Sequence, residues 1–237
     1  MTTNHHEPKS FPLQIESSEF WSGDLGLTLI TISLVVFIFV ILPLAEVGLP
    51  GRFVLDLVLV GLMVSGALRI GTNRVTTTLA IIVLLTTLIA LWASLAHPTP
   101  FLQRLSTSLL IVAFLLYIRI VLLVMFRHGP VTWSRIQGGV SAYLFLGLVW
   151  ASAYQLIEQL HPGSFRFVSH PESVEQLSAK LAYFSFATLT TVGFGDVAAV
   201  QPFARSLATA EAIVGQLFPA ILIGALVGMA MQSHPKS

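Results

Sequence analysis

The chain has 237 residues, 55% hydrophobic and 10% charged, with a formal net charge of +1 and no cysteine. Soluble domains carry about 25% charged residues, and a mean hydropathy of +0.85 with several apolar stretches of spanning length indicates a polytopic membrane protein. The absence of cysteine excludes disulfides, thiol catalysis and cysteine-ligated metals, and so small a net charge gives no footing for nucleic acid as a partner.

Residues 1–24 hold Glu7, Glu16, Glu19 and Asp24 against Lys9, and no small-residue cleavage site follows a short apolar run, so a cytoplasmic tail is expected there instead of a signal peptide. His5 and His6 belong to that exposed tail and not to a metal site. Phe11, Phe20 and Trp21 suit the membrane surface. The first span is expected over 25–44, ending near Pro43 and Glu46, and the second over 53–70, after Pro50-Gly51. Gly71-Thr72-Asn73 is a tight turn into a third span at 75–96, and His97-Pro98-Thr99-Pro100 is a short loop into a fourth at 101–126, ended by His128-Gly129-Pro130. A fifth span is expected at 133–160, followed by a polar stretch at 161–176, a short helix at 177–189, an extended loop at 191–195, a sixth span at 203–231 and a tail at 232–237.

The segment 177–195 is too short to cross twice, so it must dip in and return. Non-helical backbone at membrane depth is tolerated only where it is buried in protein or lines a watery cavity. With the N-terminus inside, Lys9, Arg69, Arg74, Arg127, Arg135 and Lys236 fall on the cytoplasmic side and Arg52, Arg166 and Lys180 outside. Both termini are then cytoplasmic, in the plasma (cell inner) membrane.

Residues 188–196 read Thr-Leu-Thr-Thr-Val-Gly-Phe-Gly-Asp. Thr191-Val192-Gly193-Phe194-Gly195 resembles the selectivity filter of potassium channels, and the resemblance covers about 133–231: outer helix, pore helix, filter and inner helix. It implies an all-α membrane protein with six transmembrane helices, a re-entrant pore helix and an extended filter loop. Gly193 and Gly195 permit backbone angles that a Cβ forbids, Val192 and Phe194 are expected to pack behind the loop, and the Thr191 hydroxyl adds an inner ring of ligands. Potassium would sit at Thr191, Val192, Gly193 and Phe194, with no other cofactor. One loop per chain requires four chains, a homotetramer around a central pore within membrane lipid. The end of the pore helix, 182–190, should point at the central cavity, where its dipole favours cations.

Two features depart from the family. Many relatives have Tyr where Phe194 stands, and an aromatic nitrogen donor where Phe184 stands, so this filter is expected to collapse more readily. Asp196 at the outer mouth lacks the glutamate that pairs with it in some relatives, since Ala187 occupies that place; it either attracts cations or bonds locally.

On the inner helix, Gly215 lies twenty residues after Gly195, the spacing of a hinge glycine in related channels, and Pro219 favours a kink. Ile223 and Val227 are gate candidates by helical spacing from Gln216. Glu211, an acid inside this helix, must be neutral, partnered or near water; Thr188 and Thr190 are candidate partners, in a structural tie to the pore helix or a proton sensor.

The region 25–126 occupies the place of a voltage sensor but is not arginine-rich. Arg104 and Arg119 are fifteen residues apart on the fourth helix, and the third helix has no acid. Asp56 and Arg104 are expected at similar depth, as a salt bridge or as separate side chains snorkelling to the surface. Thr76, Thr77, Thr78, Thr86 and Thr87 read as groups that bond between helices. With only a short tail after the last helix, gating is expected in the filter, in the inner helices, through lipid or tension, or from a separate regulatory subunit. The alternatives are the pore subunit of a potassium uptake transporter or a weakly selective cation channel. Histidine-rich metal spacing, a nucleophile elbow and a phosphate loop are all missing, so an enzyme is not expected.

Overall fold

The structure, a computed structural model, describes residues 28, 30–47, 74–126 and 132–232. The expected second span at 53–70, Asp56 within it, and the tails at 1–24 and 233–237 lie outside the described residues. Helix α1, apolar over Ile30–Leu44, passes through a π-helical turn at Phe37–Ile41 and closes with Leu42–Glu46. Then follow α2 (Arg74–Ala96), α3 (Pro100–Met125), α4 (Trp133–Leu160), β1 (Phe165–Phe167), α5 (Val174–Leu189), β2 (Val197–Ala199) and α6 (Pro202–Gln232). Among the described residues, α2, α3, α4 and α6 are each long and apolar enough to cross a membrane.

The directions of the helices follow from their contacts. Only His97, Pro98 and Thr99 separate α2 from α3, and Pro100 opens α3 at the position where a missing N–H costs nothing. The Thr99 hydroxyl accepts from Leu102 N at 3.3 Å, so the turn is capped. Ala80 and Leu84 of α2 share a cleft with Ala113, Tyr117 and Ile120 of α3, as an antiparallel pair must. Helices α3 and α4 are also antiparallel: Arg104 meets Gln159 at one end and Val121 meets Gly138 at the other. Helix α1 instead runs parallel to α4. Thr28 donates to Gln137 Oε1 at 2.8 Å, and three residues on, Thr31 bonds Ser141 at 2.7 Å.

The main core lies where α1, α3 and α4 meet, around Phe37, Phe114, Tyr117 and Phe145, with the rings of Tyr117 and Phe145 4.2 Å apart. A second core gathers Tyr154, Phe165, Phe167, Leu181, Val197 and Ala204 where α4 meets α5 and the strands.

Three sequence expectations change. The all-α expectation misses an antiparallel ribbon, β1 with β2, in register Phe165↔Ala199, Arg166↔Ala198 and Phe167↔Val197. Three residues are too few to carry a period-2 signal, and the strands find each other across thirty residues of chain. Helix α5 starts at Val174 and not at 177, because Ser173-Val174-Glu175-Gln176 forms a capping arrangement: Ser173 Oγ accepts from Gln176 N at 3.2 Å while Gln176 Oε1 accepts from Glu172 N at 2.7 Å. Thr86 and Thr87 bond the Ile82 and Val83 carbonyls of their own helix at 2.7–2.9 Å, not a neighbouring helix, the usual alternative for a hydroxyl in an apolar helix.

Candidate functional site

The ribbon pinches together the two ends of the segment 168–196. Val168 N donates to the Asp196 carbonyl at 3.0 Å beside β1 and β2, so α5 and the loop after it leave and return through one neck. Before the neck, Glu158 ties the turn after α4, accepting from Gly163 N at 2.8 Å and Phe165 N at 3.2 Å. Within the neck α5 is seated between α4 and α6 by two glycines. A Cβ on Gly147 would stand 2.4 Å from the Phe186 ring, and one on Gly215 would stand 2.0 Å from the Leu189 carbonyl oxygen. Gly215, expected as a hinge, therefore has a packing reason to be glycine. The Leu189 carbonyl also accepts from Tyr143 Oη at 3.3 Å.

The loop grows out of the last turn of α5. Thr191 N donates to Thr188 O at 2.9 Å, and Val192 N and Gly193 N both donate to Ala187 O, at 2.9 and 3.1 Å. All described peptides are trans, and in a trans peptide the C=O opposes the N–H. The carbonyls of Thr190, Thr191 and Val192 therefore point away from the helix end. Thr191, Gly193 and Gly195 have φ of 60°, 56° and 83°, whereas Val192 and Phe194 keep negative φ. The N–H groups of Thr191, Val192 and Gly193 thus gather on the helix side, and the three carbonyls that oppose them on the other. Thr191 is β-branched, and its place in the left-handed region costs about 1–3 kcal/mol. The motif accounts for the two glycines; nothing in it marked the threonine. Within one chain Val192 and Phe194 are 55% and 70% exposed.

Around the loop the aromatic neighbour differs from expectation, and Asp196 takes one of its two expected roles. Within the chain Tyr183, and not Phe184, is the aromatic beside the loop. Its ring stacks on Phe194 with centroids 6.0 Å apart at 15°, and its hydroxyl donates to Asp196 Oδ1 at 3.1 Å. The Phe184 ring packs edge-on against Tyr154 and Phe165, at 5.1 and 5.5 Å. Asp196 bonds locally, since the same oxygen accepts from Val197 N at 3.1 Å.

Glu211 is fully buried, and its partners are Tyr154 and Ser185 instead of Thr188 or Thr190. Tyr154 Oη donates to Glu211 Oε2, and Ser185 Oγ lies 2.5 Å from Oε1 and 2.7 Å from the Gly147 carbonyl. Ser185 has one hydrogen for two oxygens. If it goes to Gly147, which can only accept, the contact with Glu211 takes its hydrogen from the carboxyl, so a neutral carboxyl satisfies every atom. The Thr190 hydroxyl bonds Phe186 O at 2.6 Å. Tyr154 and Ser185 were not legible beforehand, because nothing in the sequence relates residues 154, 185 and 211. One turn on, Gln216 Nε2 donates to Thr191 Oγ1 at 3.0 Å.

Arg104 donates to the Gln159 carbonyl at 3.1 Å; Asp56, its expected partner, lies outside the described residues. On α6, Ala204, Glu211 and Gly215 face the chain's own helices, while Ile223 and Val227 are exposed and Pro219 is half-buried. Only 6% of the spanning window of α6 is buried, against 56% for α4.

Residues 142–232 match a family model described as Ion channel. No curated protein and no solved structure matches the chain. The matched segment runs from within α4 to the end of α6, so it takes in most of α4, α5, the loop and α6, and leaves α1 to α3 outside. The match supports ion channel activity, and with the apolar helices it makes this a membrane protein.

Proposed function

We propose that the chain forms a potassium-selective channel, four copies surrounding one pore and passing potassium down its gradient. The observation that carries this reading is the loop after α5, where φ alternates in sign over Thr191–Gly195 and the consecutive carbonyls of Thr190, Thr191 and Val192 point away from the helix end. Rings of such carbonyls replace the water shell of a potassium ion, and the Thr191 hydroxyl adds a further oxygen at the inner end. The C-terminal end of α5 favours a cation through its dipole.

Fourfold assembly is supported by α6. A spanning helix that buries so little against its own chain, with Ile213, Leu217, Ile221, Ile223 and Val227 exposed, has surface to give to neighbouring copies and to a pore lining. Ile223 and Val227 on that face would narrow the inner pore, and Pro219 would bend the helix above them. Six crossings are supported by direction. Helices α1 and α2 both run parallel to α4, so Val47 and Arg74 end at opposite sides of the bundle. An odd number of crossings joins them, and the apolar stretch 53–70 has the length for one. The charge bias then sets both termini inside.

The test is flux. Full-length protein in liposomes should release potassium down its gradient without ATP or a coupling ion and leave sodium behind. Equal sodium and potassium flux would assign the chain to weakly selective cation channels, and a requirement for a coupling ion would assign it to transporters.

A further inference from the structure

Thr191 is held in a conformation that a β-branched residue avoids, with φ at 60°. Such a residue persists only where its surroundings over-determine it. Two contacts do so. Its N–H is tied to Thr188 O at 2.9 Å, and its hydroxyl receives Gln216 Nε2 at 3.0 Å. The second contact comes from a different element, α6, and its geometry is set by the neighbouring residue. Gly215 lets α6 approach the Leu189 carbonyl so closely that a Cβ would stand 2.0 Å away. The Gln216 carboxamide is thereby delivered to the inner end of the loop.

From this we infer that Gln216 is a positioning residue that determines cation specificity at the innermost ion site; the inference rests on the channel reading and deepens it. A hydroxyl has one hydrogen and two acceptor lone pairs. The carboxamide N–H occupies one lone pair, so one lone pair and the hydrogen remain. A dehydrated cation takes the lone pair, and the hydrogen turns away from it. Without the carboxamide the hydroxyl rotates freely and the strained Thr191 backbone loses its tie to α6. The innermost ring of oxygens then holds its spacing less well, and discrimination between cations of nearly equal size is the first property to suffer. In a fourfold assembly the effect is repeated four times at one level of the pore.

The experiment uses the full chain in planar bilayers. Two quantities are read: the rubidium to potassium permeability ratio, and block by barium from the inner side, barium being close to potassium in radius with twice the charge. Gln216→Leu removes the donor. It should shift the barium block constant by about two- to tenfold, the range expected for one neutral hydrogen bond, and move the permeability ratio toward unity. Gln216→Met keeps the length of the side chain but has no donor and no charge, and should produce the same shift. Conducting variants in which both quantities match wild type overturn the inference while leaving the channel reading intact. If neither variant forms a tetramer by size-exclusion chromatography, Gln216 serves assembly, and the inference is overturned as well. A wild-type protein that passes no potassium overturns the channel reading and takes this inference with it.

Discussion

Replacing Gly215 with alanine separates two reasons for a glycine in the middle of α6. The added methyl would stand 2.0 Å from the Leu189 carbonyl oxygen and 2.8 Å from the carbonyl carbon. That is roughly 1.4 Å short of ordinary van der Waals contact. Both partners are backbone, so no side chain can rotate out of the way, and a helix has to move. Overpacking of this kind costs about 1–3 kcal/mol. The geometric consequence is the more informative one. A shift of α6 away from α5 by that amount stretches the 3.0 Å Gln216–Thr191 bond beyond the 3.5 Å at which it still counts as a bond, and strains the 2.5 Å Ser185–Glu211 contact. A shift of α5 instead carries the Thr188 and Ala187 carbonyls, and with them the loop Thr191–Gly195. Either way, Gly215→Ala should still assemble but lose potassium over sodium selectivity by about tenfold or more, each subunit losing at least one hydrogen bond. Gly138→Ala is the control, since its Cβ would meet Val121 Cγ1 at 3.4 Å, an ordinary contact. The assay is size-exclusion chromatography followed by bi-ionic reversal potentials in planar bilayers. If Gly215→Ala keeps the wild-type permeability ratio and changes only opening and closing rates, the packing argument is refuted and the glycine is there to bend.

Three further outcomes follow from named contacts. Glu211→Gln should stay within about 1 kcal/mol of wild type, because a carboxamide can accept from Tyr154 and donate to Ser185; Glu211→Leu leaves the buried Tyr154 hydroxyl unpartnered, while Ser185 keeps the Gly147 carbonyl, and should lower stability by about 1–3 kcal/mol per chain, read as Tm in detergent. Tyr183→Phe keeps the ring on Phe194 but removes the hydroxyl from Asp196, and should make potassium flux decay about two- to tenfold faster at low external potassium; an unchanged decay would show that the Tyr183–Asp196 bond does not hold the filter open. Ser173→Ala removes the cap of α5 and should cost about 0.5–2 kcal/mol in thermal stability with selectivity unchanged, so altered selectivity would mean that the start of α5 bears on the filter directly.

Much of the framework was open to reading because it depends on local chemistry. Apolar length, proline and glycine punctuation, and the Thr-Val-Gly-Phe-Gly run each act on their own few residues, so α2, α3, α4 and α6 fall within a few residues of their expected bounds, and Gly193 and Gly195 take the left-handed angles expected of them. The cap at Ser173 was equally local and legible in principle, as a serine followed three residues on by a glutamine.

What the sequence determined by itself was that this chain lives in a membrane and carries one loop able to align its carbonyls, because hydropathy and backbone freedom are properties of short segments. What only the tertiary structure decided was who holds that loop. The ribbon joining Phe165–Phe167 to Val197–Ala199, the choice of Tyr183 over Phe184, the burial of Glu211 between Tyr154 and Ser185, and the reach of Gln216 to Thr191 all join residues that are distant in the chain or whose facing is set by packing. In each case the partner is selected by where helices come to rest against one another, and that is settled by the fit of Gly147 to Phe186 and of Gly215 to Leu189, contacts that exist only once the helices have packed.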